Sequence, residues 1–135
     1  ERIQGVQGAV KGQWVELPAL RIDLKTGFAS AFLVSADGEP LASSRRMYLV
    51  SVGAVKQTGT KYGPDRKQLE EVGGLPVLAQ VVEGTVLIKR AGAVVKPLSI
   101  GGKAGKALKT QAVGDGTQFD LSQGRTFVYE VTVSR

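Results

Sequence analysis

Carboxylates, unpaired cations and a few aromatic rings are the residues of this chain that could do chemistry. The sequence contains neither Cys nor His, which removes thiol nucleophiles, Cys or His zinc sites, the Ser-His-Asp triad and His-dependent proton transfer. Paired carboxylates remain. Glu70-Glu71, and Asp115 with Asp120, are the closest pairs in sequence, but adjacent side chains on a strand point to opposite faces and neither pair sits in a catalytic context. Asp115-Gly116 and Asp120 could contribute to a structural Ca²⁺ site, but two carboxylates are too few to claim one. The expectation is a chain that is not an enzyme and holds no metal or cofactor.

The cations are unevenly placed. Between Gly84 and Gly114 stand six basic residues, Lys89, Arg90, Lys96, Lys103, Lys106 and Lys109, and no acidic one, so this stretch carries the whole net charge of +6. On adjacent hairpins they would form a basic patch suited to an acidic polysaccharide or to nucleic acid. The bland alternative is a solvated face with Lys guarding edge strands. No aromatic residue interleaves with these cations, which argues against single-stranded nucleic acid. Ile100-Gly101-Gly102-Lys103-Ala104-Gly105-Lys106 lacks the Gly-Lys-Ser/Thr ending and following helix of a phosphate loop and reads as a turn.

The elements that must position these residues are strands. A length of 135 residues with 18 Gly and a β-branched apolar set predicts one all-β domain spanning 1–135, without linkers or repeats. Leu20, Ile22 and Leu24 alternate with Arg21, Asp23 and Lys25, the pattern of a half-buried strand. Phe28–Ser35 is nearly continuously apolar, as in a strand covered on both faces, and Asp37-Gly38 marks a hairpin turn before a strong strand over Arg46–Val55. Glu83-Gly84 reads as a tight turn between strands Pro76–Val82 and Thr85–Arg90. Val94–Ile100, Leu108–Val113 and Gln118–Leu121 are weaker strands, and Thr126–Val133 closes the chain. Asp65–Val72 is the one helical candidate. About ten short strands with regular turn signals predict a single antiparallel β-sandwich, jelly-roll-like. No apolar run approaches the roughly 20 residues of a membrane helix. Glu1-Arg2-Ile3 reads as a mature terminus or the start of an excised piece.

One segment is more specific. Ser35-Ala36-Asp37-Gly38-Glu39-Pro40-Leu41-Ala42-Ser43-Ser44-Arg45-Arg46-Met47-Tyr48-Leu49, followed by Gln57-Thr58-Gly59, resembles the C-terminal β-sandwich domains appended to clan A-type glycoside hydrolases. Arg2–Gly8 resembles the stretch that opens such domains, and Thr126–Val131 their last strand. Ala36 and Ser43 depart from the family's Leu and Glu, and the loop from Lys61 to Gly74 is longer. Much of the motif is explicable as architecture: Asp37-Gly38 makes the turn, Pro40 fixes φ, Ser43 or Ser44 bonds local backbone and Met47–Val55 fills a sheet. Ligand contact by Arg45 or Arg46 is the alternative.

The resemblance implies a noncatalytic carbohydrate-binding module, extracellular or periplasmic, covalently linked to a catalytic domain on its N-terminal side. The competing expectations are a purely structural sandwich that packs against a catalytic barrel, and binding of an anionic polymer. Sugar-binding modules of this kind stack aromatic rings on a pyranose face and orient its hydroxyls with a few polar groups. Trp14 shares strand parity with Glu16 and points outward if Val15 and Leu17 point inward; covering the core edge is the equal alternative. Tyr62 lies in a polar loop among Lys61, Asp65, Arg66 and Lys67, as a ligand platform or as a loop anchor. Phe119 is a third platform candidate. Phe28, Phe32, Phe127 and Tyr129 are expected in the core, with Tyr48 undecided.

Overall fold

The alternation in Leu20–Leu24 is realised in full: Leu20, Ile22 and Leu24 are completely buried, while Arg21 and Asp23 are half-exposed. The computed structural model describes residues 1–134. Fourteen strands follow in order: β1 Ile3–Gly8, β2 Trp14–Glu16, β3 Leu20–Leu24, β4 Ala29–Ser35, β5 Arg46–Val52, β6 Val55–Thr58, β7 Lys61–Tyr62, β8 Leu69–Glu71, β9 Gly74–Ala79, β10 Gly84–Ile88, β11 Ala93–Leu98, β12 Gln111–Val113, β13 Gly116–Asp120 and β14 Val128–Val133. One 3₁₀ turn, Leu121–Gln123, is capped by Asp120, whose carboxylate accepts the Ser122 N–H at 2.8 Å.

Two five-stranded antiparallel sheets face each other. The first has the order β1-β4-β5-β14-β11 and the second β12-β13-β10-β3-β2. Inward residues of the first (Ala29, Ala31, Leu33, Met47, Leu49, Val95, Tyr129, Val131) meet those of the second (Leu20, Ile22, Leu24, Val86, Ile88, Phe119) in one core, so the fold is the antiparallel β-sandwich that the alternation predicts. Tyr129 spans the layer end-on, and its hydroxyl donates to the Leu121 carbonyl at 2.7 Å. Burial pushes that phenol's pKa above its ordinary value.

The turn between β4 and β5 is a ten-residue loop, 36–45, organised by one carboxylate. Asp37 Oδ2 accepts the backbone N–H of Arg45 at 2.7 Å and of Arg46 at 3.1 Å, while Oδ1 accepts the Glu39 N–H and the hydroxyls of Ser35 and Ser44. These bonds hold the Asp37 carboxyl far below the usual carboxylate range, the Arg45 N–H contributing most. Ser44 is fully buried beneath it. The Asp37 and Ser44 letters of the motif are thus accounted for by local hydrogen bonding, whereas Arg45 and Arg46 meet the Asp37 carboxylate only through backbone N–H groups that other residues would also supply. Arg46 itself lies on the outer face of the first sheet, its Nε 2.9 Å from Glu130 Oε1.

Several expectations are corrected. β4 is covered on one face only: Ser30, Phe32 and Val34 point outward and are half-exposed. Phe32 is not in the core; it folds over Gly5, its cross-strand partner in β1, where a Cβ would lie 2.3 Å from the ring. Phe28 precedes β4 and is 54% exposed. Glu83-Gly84 is not a hairpin turn, because β10 pairs with β3 and β13 rather than with β9. Gly84 instead lets the chain enter the second sheet close to β3: φ is +149° and a Cβ would sit 2.3 Å from the Asp23 carbonyl oxygen.

What lies between β5 and β10 is a ribbon outside both sheets. β6 pairs with β9 and β7 with β8, each as a separate two-stranded unit, and every residue of these four strands is exposed. Asp65–Val72 is therefore not helical. Gly63-Pro64 and the left-handed Arg66 (φ 58°) turn the chain, and Leu69–Glu71 returns along Lys61–Tyr62. The ribbon is closed at its base by paired backbone bonds, Gly53 N–H to the Gln80 carbonyl and Gln80 N–H to the Ala54 carbonyl.

Candidate functional site

The ribbon has a concave side. Ala54, Val55 and Lys56 at the start of β6, Leu78, Ala79 and Gln80 at the end of β9, and Tyr62 and Arg66 from the turn above enclose a cleft of about 700 Å³. Its apolar lining residues are Val55, Leu78 and the exposed Tyr62, and its polar ones are Lys56, Arg66 and Gln80. Tyr62, Val55 and Lys56 also border a smaller hollow of about 290 Å³ with Thr60, Leu69, Val72 and Val77. The turn that carries Arg66 is fixed by Arg66 N–H to the Gly63 carbonyl and Gly63 N–H to the Gln68 carbonyl, each 2.9 Å.

Of the binding residues expected from sequence, Tyr62 and Arg66 come together here. Lys61 and Asp65 belong to the same turn but do not line the cleft. Lys61 Nζ is held 2.6 Å from Glu71 Oε1 across β7–β8, and Asp65 Oδ1 accepts the Lys67 N–H at 3.0 Å, shaping the turn.

Trp14 is elsewhere. It points outward from β2, the edge strand of the second sheet, and is 47% exposed, as its parity with Glu16 predicts. Its ring is partly occupied, because the Arg21 guanidinium carbon lies 3.9 Å from the ring centroid while Arg21 Nε faces Glu16 at 3.4 Å. This cation–π contact covers a face that a sugar would need. Phe119 is corrected: it is 3% exposed, with its ring centroid 6.2 Å from that of Tyr129, and offers solvent no platform.

The six cations from Lys89 to Lys109 are carried by several elements. β10 and β12 belong to the second sheet and the intervening β11 to the first, with β11 and β12 each the edge strand of its sheet. Lys89 pairs with Glu16. Arg90 is spent on backbone, its Nη1 donating to the Ala42 carbonyl at 2.5 Å and the Ser44 carbonyl at 3.2 Å, so it clamps the Asp37 loop from below. Lys96 stands cross-strand from Glu130. Lys103 and Lys106 lie exposed after β11, and Lys109 lies before β12 with its backbone bonded to the Gln123 side chain. None of the six lines the ribbon cleft.

Lys56, Val55, Leu78 and Gln80 are cleft residues that sequence reasoning passes over. Val55–Thr58 between Gly53 and Gly59, and Leu75–Ala79 after Gly73-Gly74, are two short strand-forming runs bounded by glycines, which is the signal for a ribbon. Among the described residues no group of three or more Asp, Glu, His or Cys stands together to hold a metal ion, and no helix is long and apolar enough to cross a membrane. No protein-family model matches the chain, and neither the curated proteins nor the solved structures provide a significant match.

Proposed function

We propose that this chain is a noncatalytic module that binds polysaccharide in the ribbon cleft and holds a covalently joined glycoside hydrolase on its substrate outside the cell or in the periplasm. The observation that supports this reading is the cleft itself: an exposed aromatic ring and two aliphatic walls beside polar groups with unspent donors. That is the combination a pyranose requires, a flat apolar surface for its C–H face and donors for its oxygens. Affinity electrophoresis and calorimetry against cellulose, xylan, mannan, alginate and sulfated glycans test it. At least one should bind, with Tyr62→Ala weakening that binding about tenfold. Absence of binding across the whole panel would refute the reading.

A second reading has its own observation. Val55, Leu69, Val72, Leu75 and Val77 of the ribbon are all more than half exposed, with Leu75 at 86%, and isolated two-stranded ribbons are marginal in water. Such a ribbon suits packing against a catalytic barrel. Excising it from the joined enzyme would lower the catalytic domain's melting temperature if it docks there and leave it unchanged if it does not.

A further inference from the structure

We infer that the ribbon cleft selects a sugar bearing a carboxylate, a uronic acid unit, over its neutral counterpart; this rests on the glycan-binding reading above. The cleft places two cations, Lys56 and Arg66, beside the Tyr62 ring and the Val55 and Leu78 walls, and no acidic side chain lines it. Neither cation makes an ion pair among the described residues, whereas Lys61 one position before Tyr62 is neutralised by Glu71. The other carboxylate of the turn, Asp65, is engaged by the Lys67 N–H. Glu70 of β8 makes no ion pair among the described residues, and its Oε1 lies 3.4 Å from where a Cβ at Gly63 would stand, but it does not line the cleft, whose charged lining residues are Lys56 and Arg66.

The two cations have distinct uses. Arg66 is planar and presents a fork of donors that meets a carboxylate in a bidentate way, and its left-handed backbone (φ 58°) fixes where that fork starts. Lys56, from the opposite strand of the ribbon base, supplies a point charge. Gln80 Oε1 is directed at the Ala54 N–H at 3.4 Å, which leaves its amide N–H₂ as donor to a ring hydroxyl. A neutral sugar can accept hydrogen bonds from Lys56, Arg66 and Gln80 but brings no charge to meet the two cations, so the carboxylate is the group that the cleft discriminates.

The experiment is calorimetry of the full chain with homogalacturonan, alginate and hyaluronan oligosaccharides and with the carboxyl-reduced form of each. At least one acidic oligosaccharide should bind about tenfold or more tightly than its reduced form. The double substitution Lys56→Gln and Arg66→Asn should erase that preference, so that the acidic and reduced forms bind the variant equally; Asn tolerates the left-handed backbone at position 66. Reduced forms that bind as well as the acidic ones, or a double variant that keeps the preference, would overturn the selectivity and leave glycan binding standing. No binding by any acidic, reduced or neutral oligosaccharide would overturn both. Circular dichroism and the melting temperature of the double variant show that it is folded, so a loss of preference reads on the cleft.

Discussion

At the scale of residues, Asp37 does the most for the least exposed cost in sequence, since one carboxylate accepts three backbone N–H groups and two hydroxyls. Its pKa is lowered on folding, chiefly by the Arg45 N–H. A depressed folded pKa means stabilisation that is complete above the unfolded value, about 4, and is lost as pH falls through the folded value. Asp37→Asn should therefore melt below the wild type at neutral pH, and the gap should narrow steadily below about pH 4; a gap independent of pH would show that charge is not what the loop uses. The same scale shows what single residues disclose in a sequence. Trp14 was half legible: the parity of Val15 and Leu17 allows an outward ring, but a ring covering the core edge fits the same letters. Phe119 shares a face with Thr117 and Leu121, all three buried, so the parity that put it inward was present in the letters, but its neighbours Gln118 and Asp120 made the strand read as polar.

At the scale of elements, the core strands and the ribbon differ in how they announce themselves. In β3, β10 and β14, burial on one face enforces alternation, and the order of letters shows it. In β6 to β9 both faces are exposed, so no periodicity is imposed, and a polar run such as Asp65–Val72 can be mistaken for a helix. The ribbon contributes nothing to the buried core, and its base is closed by the hydrogen-bonded pair Ala54 and Gln80. Replacing residues 55–79 with an Asn-Gly turn should leave the sandwich folded, with cooperative melting near the wild-type temperature, and abolish glycan binding. A variant that fails to fold would mean that the ribbon stabilises the sandwich after all, which thermal melts followed by circular dichroism would reveal directly.

At the scale of the whole molecule, the sandwich was legible and the placement of its charge was not. Strand content and turn spacing specify two packed sheets, but not which charges find partners on folding. Of the one-sign run from Lys89 to Lys109, Lys89 is paired with Glu16 and Arg90 is bonded to backbone carbonyls, and the cations that line the ribbon cleft are two others, Lys56 and Arg66. The most direct test of the account is backbone and side-chain chemical-shift mapping of the full chain with the tightest-binding uronate oligosaccharide. Shifts concentrated at Val55, Lys56, Tyr62, Arg66, Leu78 and Gln80, with Trp14 and the segment from Lys89 to Lys109 unmoved, are the predicted result. Shifts centred on Trp14 and the outer face of the second sheet, or on the lysines of that segment, would contradict it.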